Sequence, residues 1–247
     1  MVATVLVFAA LFGLVFGSFV TALSYRLPRN LSIAHGRSGC PSCGHVLEWR
    51  DLFPVLSWVR SRGRCRHCGT SISVRYPVIE LISAALFVGV AAAGLGTEHS
   101  LILLAMTPVL LAVAVIDFER GLVPNILMAL LAVLAAIWRW RTGVPFLQGL
   151  GVAAGVAILA VVLEISARWV SRTATPVLGG GDTKLLAVAA LALSLPHFFL
   201  FLTIAGLLGC VFGVIWQKTK KTSRFPFAPG ICLALWAVME ASQRLPF

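Results

Sequence analysis

The chain has 247 residues, of which 59% are hydrophobic and 12% are charged, and its formal net charge is +11. Soluble globular domains are about 25% charged, so this composition excludes an ordinary water-soluble domain and favours the bilayer as the main solvent. Nine of the 20 basic residues lie between Arg26 and Arg75, and most of the others lie in short loops. Basic residues in short loops mark the cytoplasmic side of a membrane. The charge therefore indicates orientation and contact with membrane lipid, and no nucleic-acid partner is expected.

Eight apolar segments are predicted to form transmembrane helices. The first segment lacks preceding basic residues and a small-residue cleavage site, so we interpret it as a retained helix and not as a signal peptide. The sixth and seventh meet at a tight turn around Ser194–His197; if they were one kinked helix, the number of spans would be seven. The segments are residues 2–25, 78–96, 100–117, 122–138, 146–167, 184–195, 197–216 and 226–242.

The basic residues orient these helices. Alternation places the long polar segment 26–77 on the same side as three short loops (118–121, 168–183 and 217–225). With Lys184, at the adjoining end of the sixth segment, this side carries 17 of the 20 basic residues. That side is predicted to be cytoplasmic, with both termini outside. The remaining basic residues are Arg139, Arg141 and Arg244.

The sequence thus predicts an all-α polytopic membrane protein of about eight helices with a small polar domain inserted after the first. The expected organisation is a first transmembrane helix over residues 1–25, a cytoplasmic domain over 26–77 and a membrane-embedded domain over 78–247.

Two cysteine pairs lie in the polar segment, each with two intervening residues and a following glycine. They are Cys40 with Cys43 and Cys65 with Cys68. Four thiolates suit a structural, tetrahedral Zn²⁺ site, and the reducing cytoplasm favours metal binding over disulfides. Because a segment of this size with few apolar residues would hardly fold alone, zinc is expected to stabilise it. Three nearby histidines, His35, His45 and His67, could also be ligands, but the four cysteines fill the site without them.

The nine acidic residues are few enough to examine individually. Ionisable groups at membrane depth are costly and are candidates for function. Asp117 ends the third apolar segment and Asp182 precedes the sixth, so the topology places both at the cytoplasmic edge. Two converging carboxylates cannot both ionise easily, so one keeps a proton. One then activates a water as general base while the other protonates the substrate, which is the chemistry of aspartyl proteolysis.

A run of glycines precedes Asp182 and leaves room for an extended substrate backbone to approach the carboxylate. A structural alternative stays open at this point. Asp182 also suits the N-cap of the following helix, Asp117 also suits an interface boundary, and Arg120 or Lys184 is a possible partner for either carboxylate. The glycines are Gly179, Gly180 and Gly181.

Several motifs occur together in order along nearly the whole chain. They are GSFVTALSYRLP (17–28), the two cysteine pairs, LSWVRSRGRCRHCGTSISVRYPVIEL (56–81), IDFERGLVPN around Asp117, GGGDTKLL around Asp182, and FPFAPGICLA (225–234). In these motifs the chain resembles the type IV prepilin peptidases, the GxGD-type aspartyl proteases that process type IV prepilins and type II secretion pseudopilins. The resemblance implies that Asp117 and Asp182 are the catalytic pair.

The resemblance also implies a substrate and a second activity. The substrate would be a prepilin or pseudopilin whose basic leader precedes a long hydrophobic helix, cleaved after a glycine at the cytoplasmic face of the bacterial inner membrane. Many members also methylate the new N-terminal amine with S-adenosylmethionine, although no Rossmann-like motif for that donor is visible.

Three further residues are candidate supporting residues near these motifs. Glu119 stands where the family commonly has Asp, and it keeps the charge. Glu80 is a candidate participant in methylation, with a solvated carboxylate at the start of the second span as the alternative. Lys184 lies in the second aspartate motif, two residues after Asp182. Glu119 and Glu80 are also candidates to attract the basic leader.

Two functions from other classes compete with proteolysis. A non-catalytic, zinc-containing membrane scaffold of a pilus or secretion machine would need the cysteines but not the aspartates. A proton-coupled transporter would use the same carboxylates, but both lie at one edge of the membrane, whereas transport sites usually lie near its midplane.

Overall fold

The computed structural model describes residues 2–33, 35–171, 179–220 and 225–244. These residues form nine α-helices and no β-strand, apart from two isolated β-bridges. The predicted all-α class is therefore confirmed. The helices are α1 (Val2–Arg26), α2 (Leu56–Arg60), α3 (Arg75–Ala92), α4 (Thr97–Arg120), α5 (Asn125–Thr142), α6 (Phe146–Ser171), α7 (Gly180–Ala192), α8 (Leu195–Lys220) and α9 (Ala228–Ser242).

Every predicted apolar segment corresponds to a helix, with ends that differ by at most four residues. Among the described helices, α1, α3, α4, α5, α6 and α8 are long and apolar enough to cross a membrane. The chain is therefore a multi-pass membrane protein. Helix α9 has 15 residues and α7 has 13, so length alone does not confirm eight crossings. The chain leaves the helical conformation at Leu193, and α7 and α8 are two helices and not one kinked helix.

The chain divides into two compact units, Met1–Gly94 and Leu95–Phe247. The predicted organisation into residues 1–25, 26–77 and 78–247 stays a prediction. Parts of two predicted basic loops, 168–183 and 217–225, lie outside the described residues.

In the first unit, α1 and α3 pack closely because α1 presents two glycines one turn apart. A Cβ at Gly13 would lie 2.5 Å from the Cα of Ala84, and a Cβ at Gly17 would lie 2.6 Å from the Cα of Glu80. Real Cβ atoms do not approach backbone so closely, so a side chain at either position would separate the helices. Small residues serve this purpose in membrane helix pairs. The arrangement brings Glu80 into the α1–α3 interface.

In the second unit, α4, α5, α7, α8 and α9 surround a common apolar core. Helix α9 packs against α4, α7 and α8, and α7 packs against α5 and α6. A buried polar contact joins α9 to α4, where the Trp236 indole N–H donates to the Thr107 hydroxyl at 3.1 Å. The largest buried core side chains include Leu103, Met106, Ile116, Leu131, Leu185, Phe201, Ile231, Leu235 and Met239.

A fully buried arginine caps the C-terminal end of α7. The guanidinium of Arg139, in α5, donates to the carbonyl oxygens of Leu191 at 3.1 Å and Leu193 at 2.9 Å. It also donates to the Pro145 carbonyl, and its side chain fills the space beside Gly149. The last carbonyls of a helix have no intrahelical partner, so Arg139 supplies donors to the end of α7. The sequence places Arg139 just after the fourth apolar segment (122–138), and in the structure α5 extends past it to Thr142.

Two glycines of α8 leave room for two aromatic rings of the segment that precedes α9. A Cβ at Gly209 would overlap the ring of Phe227, and a Cβ at Gly213 would lie 3.3 Å from the ring of Phe225. These rings stack edge-on with centroids 6.0 Å apart. The glycines therefore fix where the chain enters α9, at Ala228.

Candidate active site and metal site

Asp117 is held at the junction of two helices. It lies in the last turn of α4, which ends at Gly121 in a left-handed conformation with φ +64°. The backbone N–H of Ala228, the first residue of α9, donates to Asp117 Oδ2 at 3.1 Å. The next residue of α9 is Pro229, which has no N–H to offer. Asp117 is 7% exposed, so this bond and the positive end of α9 fix one face of the carboxylate.

Asp182 is the third residue of α7 and is half-buried. The N-cap of α7 is Gly179, and no side chain caps it. The alternative in which Asp182 serves as the N-cap is therefore wrong. The charges of Asp117 and Asp182 act on each other, and both act on the buried thiol of Cys232, one turn into α9. The two carboxylates thus converge beside the start of α9.

The three glycines before Asp182 have different surroundings. A Cβ at Gly179 would lie 2.9 Å from Asp182 Oδ2, so glycine there leaves room for the carboxylate itself. A Cβ at Gly181 would lie 2.5 Å from Val123 Cγ2, so this glycine allows close packing. Among the three, only Gly180 has no described residue within 4 Å of an added Cβ. Within the described part of the chain, the space predicted for a substrate backbone is therefore open at Gly180.

The candidate supporting residues occupy separate environments. Lys184 donates to Asn125 Oδ1 at 2.7 Å and so joins α7 to the start of α5. Glu119 is exposed in the last turn of α4. Glu80 belongs to the first unit and is 6% exposed, with Oε2 accepting the N–H of Val55 at 2.7 Å. The alternative of a solvated carboxylate at Glu80 is therefore wrong.

The four predicted metal ligands come together in the first unit. The Sγ atoms of Cys40, Cys43, Cys65 and Cys68 all lie within 4.8 Å of one another, and Cys40 Sγ and Cys68 Sγ are 3.8 Å apart. Four sulfurs at Zn–S bonds of about 2.3 Å in a tetrahedron would be about 3.8 Å apart. The donor set and spacing fit Zn²⁺.

The two cysteine pairs fold in the same way. In each, the glycine after the second cysteine has a left-handed φ near +70° and donates its N–H to the carbonyl of the first cysteine at 2.9 Å. An isolated antiparallel β-bridge joins the residues on either side of each turn. The surroundings act differently on the thiols: the Thr70 hydroxyl and backbone N–H lower the pKa of Cys68 to about 6. At Cys43 the backbone N–H of His45 lowers the pKa, but burial and the neighbouring cysteine sulfurs outweigh it and raise the pKa to about 11. Backbone N–H groups of Cys43 and Ser42 lower the pKa of Cys40.

The bond between Asp117 and the Ala228 N–H was not foreseen from the sequence. The FPFAPG motif pointed to the start of α9, but it gave no reason to pair that backbone with a carboxylate 111 residues away. The proline that removes the next N–H of the helix is the one local signal for this bond.

Comparison with known proteins gives two family matches and several close relatives. Residues 11–93 match the bacterial peptidase A24 N-terminal domain, and residues 104–214 match the type IV leader peptidase family. The prepilin leader peptidase/N-methyltransferase of Bacillus subtilis (strain 168) is 37% identical over 234 residues, which cover 90% of this chain and 88% of that protein.

Two further relatives extend this similarity. The prepilin leader peptidase/N-methyltransferase of Aeromonas hydrophila is 31% identical, over 93% of this chain and 88% of that protein. The type 4 prepilin-like proteins leader peptide-processing enzyme of Escherichia coli O78:H11 is 30% identical, over 94% of this chain and 91% of that protein. No solved structure matches significantly.

Proposed function

Because the chain belongs to the type IV leader peptidase family, we propose that it removes the basic leader of type IV prepilins or pseudopilins by aspartyl catalysis. The observation that carries this proposal is the convergence of Asp117 and Asp182 beside the start of α9, where their charges interact. No other pair of carboxylates in the described part of the second unit shares these features.

In hydrolysis one carboxylate acts as general base and the other as general acid. The ionised one takes a proton from a water, whose oxygen attacks the carbonyl carbon of the scissile peptide. The protonated one donates its proton as the C–N bond breaks and the amine leaves. The Ala228 N–H keeps Asp117 in one orientation, and the open space at Gly180 admits the substrate backbone.

The membrane location follows from charge and helix length. The six long apolar helices make the chain a multi-pass protein, and the excess of basic residues in the loops next to both aspartates supports a cytoplasmic active site in a bacterial inner membrane. A prepilin leader is basic, so anionic lipid headgroups hold it near that surface.

Two small components complete the proposal. The four cysteines bind a structural Zn²⁺ that stabilises the polar segment of the first unit. S-adenosylmethionine supplies a methyl group for the new N-terminal amine, as the names of the relatives imply.

Co-expression with a prepilin tests this function. Intact mass of the product reports leader removal, and an added 14 Da on the new N-terminus reports methylation. We expect cleavage by the wild type and none by Asp117→Asn or Asp182→Asn. The matched control is Glu98→Gln, an exposed acid paired with Arg141, which should cleave normally. Full cleavage by both Asp variants would instead support the scaffold.

A further inference from the structure

Residues 49–59 of the first unit present large apolar side chains to the outside of an otherwise polar segment. The apolar patch consists of Trp49, Phe53, Leu56 and Val59, each with more than half of its surface exposed. The rings of Trp49 and Phe53 contact each other with centroids 5.9 Å apart. Leu56 and Val59 are three residues apart in α2 and so share one face of that helix. Contiguous exposed patches mark contacts with another protein or with a membrane.

Another face of α2 is packed within the unit and fixes the orientation of the patch. Trp58 donates its indole N–H to the Ile72 carbonyl at 3.0 Å, and a Cβ at Gly63 would lie 2.9 Å from the Trp58 ring. Ser57 and Trp58 line an internal cavity, whereas none of the four patch residues does. The patch is therefore held outward by the packing of the same short helix.

A hydrogen bond sets the depth of the patch relative to the membrane. The N–H of Val55, which directly precedes α2, donates to Glu80 Oε2 at 2.7 Å. Glu80 lies five residues after the start of α3, which is one of the candidate spans, so it is about 7.5 Å along the helix axis. The headgroup region occupies about 5 to 8 Å on each side of the hydrocarbon core. The bond thus places the start of α2 at the depth of the headgroups.

Basic side chains flank the apolar patch. Arg50 lies over the Trp49 ring, with its guanidinium carbon 5.2 Å from the ring centroid, and Arg60 and Arg62 follow the patch in sequence. The three arginines are exposed, and in the described part of the chain the two acids closest to the patch in sequence pair instead with Arg66. Aromatic residues are enriched at membrane interfaces, and anionic headgroups attract basic residues beside them.

We propose that the apolar patch inserts among the headgroups of anionic phospholipids, at the membrane surface where α1 ends and α3 begins. The four apolar side chains then leave water, and the flanking arginines bind lipid phosphates. The observations favour lipid over a protein partner because the patch lies at headgroup depth and its flanking charges have one sign. The membrane surface thereby holds the polar segment by a contact separate from α1 and α3. This inference does not depend on the proposed proteolysis or methylation.

Photocrosslinking of the full chain in lipid nanodiscs tests the proposal. The photoreactive residue p-benzoylphenylalanine replaces Leu56, and in a control it replaces Ser42, an exposed polar residue of a metal-binding turn. The nanodiscs contain equal amounts of phosphatidylglycerol and phosphatidylcholine, and intact mass detects phospholipid adducts. We expect severalfold more lipid adduct at position 56 than at position 42, with zinc content and melting temperature as checks on folding. Equal yields at the two positions would overturn the proposal.

Other occupants of the patch would give different products from position 56. A second copy of the chain would give a crosslinked dimer, and the second unit would give peptides that join position 56 to residues 95–247. A prepilin added to the nanodiscs would give a crosslink to that protein if it were the occupant. Any of these as the main product, in place of lipid adducts, would overturn the proposal.

A charge variant tests the class of lipid. With the crosslinker at position 56, the preference for phosphatidylglycerol over phosphatidylcholine among the adducts should fall by about fivefold or more when Arg50→Gln and Arg60→Gln are combined. Arg141→Gln, in the second unit, is the control and should leave the preference unchanged. An unchanged preference in the double variant would overturn the assignment of anionic lipid.

Discussion

Val123 occupies the space that a side chain at Gly181 would need, since an added Cβ would lie 2.5 Å from Val123 Cγ2. Val123 follows Asp117 by six residues, and Gly181 directly precedes Asp182. The two segments that carry the aspartates therefore pack against each other at this point. Gly181 acts through packing, whereas Gly180 faces open space.

Alanine substitutions should distinguish the role of Gly181 from that of Gly180. Gly181→Ala must displace Val123 or α7, and a displacement of about 1 Å at an active site costs up to about a hundredfold in rate. We expect a large loss of kcat in prepilin cleavage together with a lower melting temperature. Gly180→Ala should raise KM and leave the melting temperature unchanged or slightly higher, because alanine favours helix. Equal kinetics in the two variants would contradict this distinction.

Two substitutions in α8 test whether the start of α9 holds Asp117 in position. Gly209→Ala should push the Phe227 ring away and move Ala228, whose N–H holds Asp117 Oδ2. We expect cleavage to fall by about tenfold or more. Gly206→Ala is the matched control on the same helix, because nothing lies within 4 Å of its added Cβ. Leader removal by purified enzyme gives the rates, and an unchanged rate in Gly209→Ala would show that α9 does not position Asp117.

Loss of a zinc ligand should affect the polar segment and not the helices. Cys68→Ser is expected to lose the metal and to make residues 39–72 sensitive to protease, because structural zinc supplies folding free energy. Cys210→Ser is the control, since Cys210 is an exposed thiol of α8 outside the cluster. Zinc per chain from atomic emission and limited proteolysis are the readouts. Full zinc content in Cys68→Ser would exclude the four-sulfur site.

Zinc retention should also depend on pH. The thiols of the cluster do not titrate alike: the pKa of Cys68 is lowered to about 6, whereas that of Cys43 is raised to about 11. Protons compete with the metal for these sulfurs, so we expect zinc to be released progressively as the pH falls, measured by dialysis at fixed free zinc. The substitution Thr70→Val removes the hydroxyl beside Cys68 Sγ and should move release to higher pH.

Arg139 should be important for stability although it lies far along α5 from the aspartates. Arg139→Leu leaves the carbonyls of Leu191 and Leu193 without these donors, at about 1 to 3 kcal/mol for each unsatisfied group. Arg141→Leu is the control, because Arg141 is exposed and its pairing with Glu98 is at the surface, where ion pairs contribute little. Thermal unfolding in detergent compares the two. A similar melting temperature for both variants would contradict the role of Arg139.

The sequence predicted features that depend on local pattern. Apolar runs located eight of the nine described helices, and cysteine spacing located the metal ligands, because both signals are contained in short stretches. It did not reveal the Asp117–Ala228 bond or the Gly181–Val123 contact, since each joins distant segments through packing. The sequence also did not reveal the partners of Arg139, because a charged residue just after an apolar run gives no sign of the distant carbonyls to which its guanidinium donates.

The hydrogen bonds from Arg139 to the end of α7 affect how this short helix fits the lipid bilayer. A helix of 13 residues rises about 20 Å, whereas the hydrocarbon core is about 30 Å thick. Free carbonyls ending at that depth would be costly in lipid, but those of α7 end on Arg139 inside the protein. A helix shorter than the hydrocarbon core can therefore end inside the protein without exposing these carbonyls to lipid.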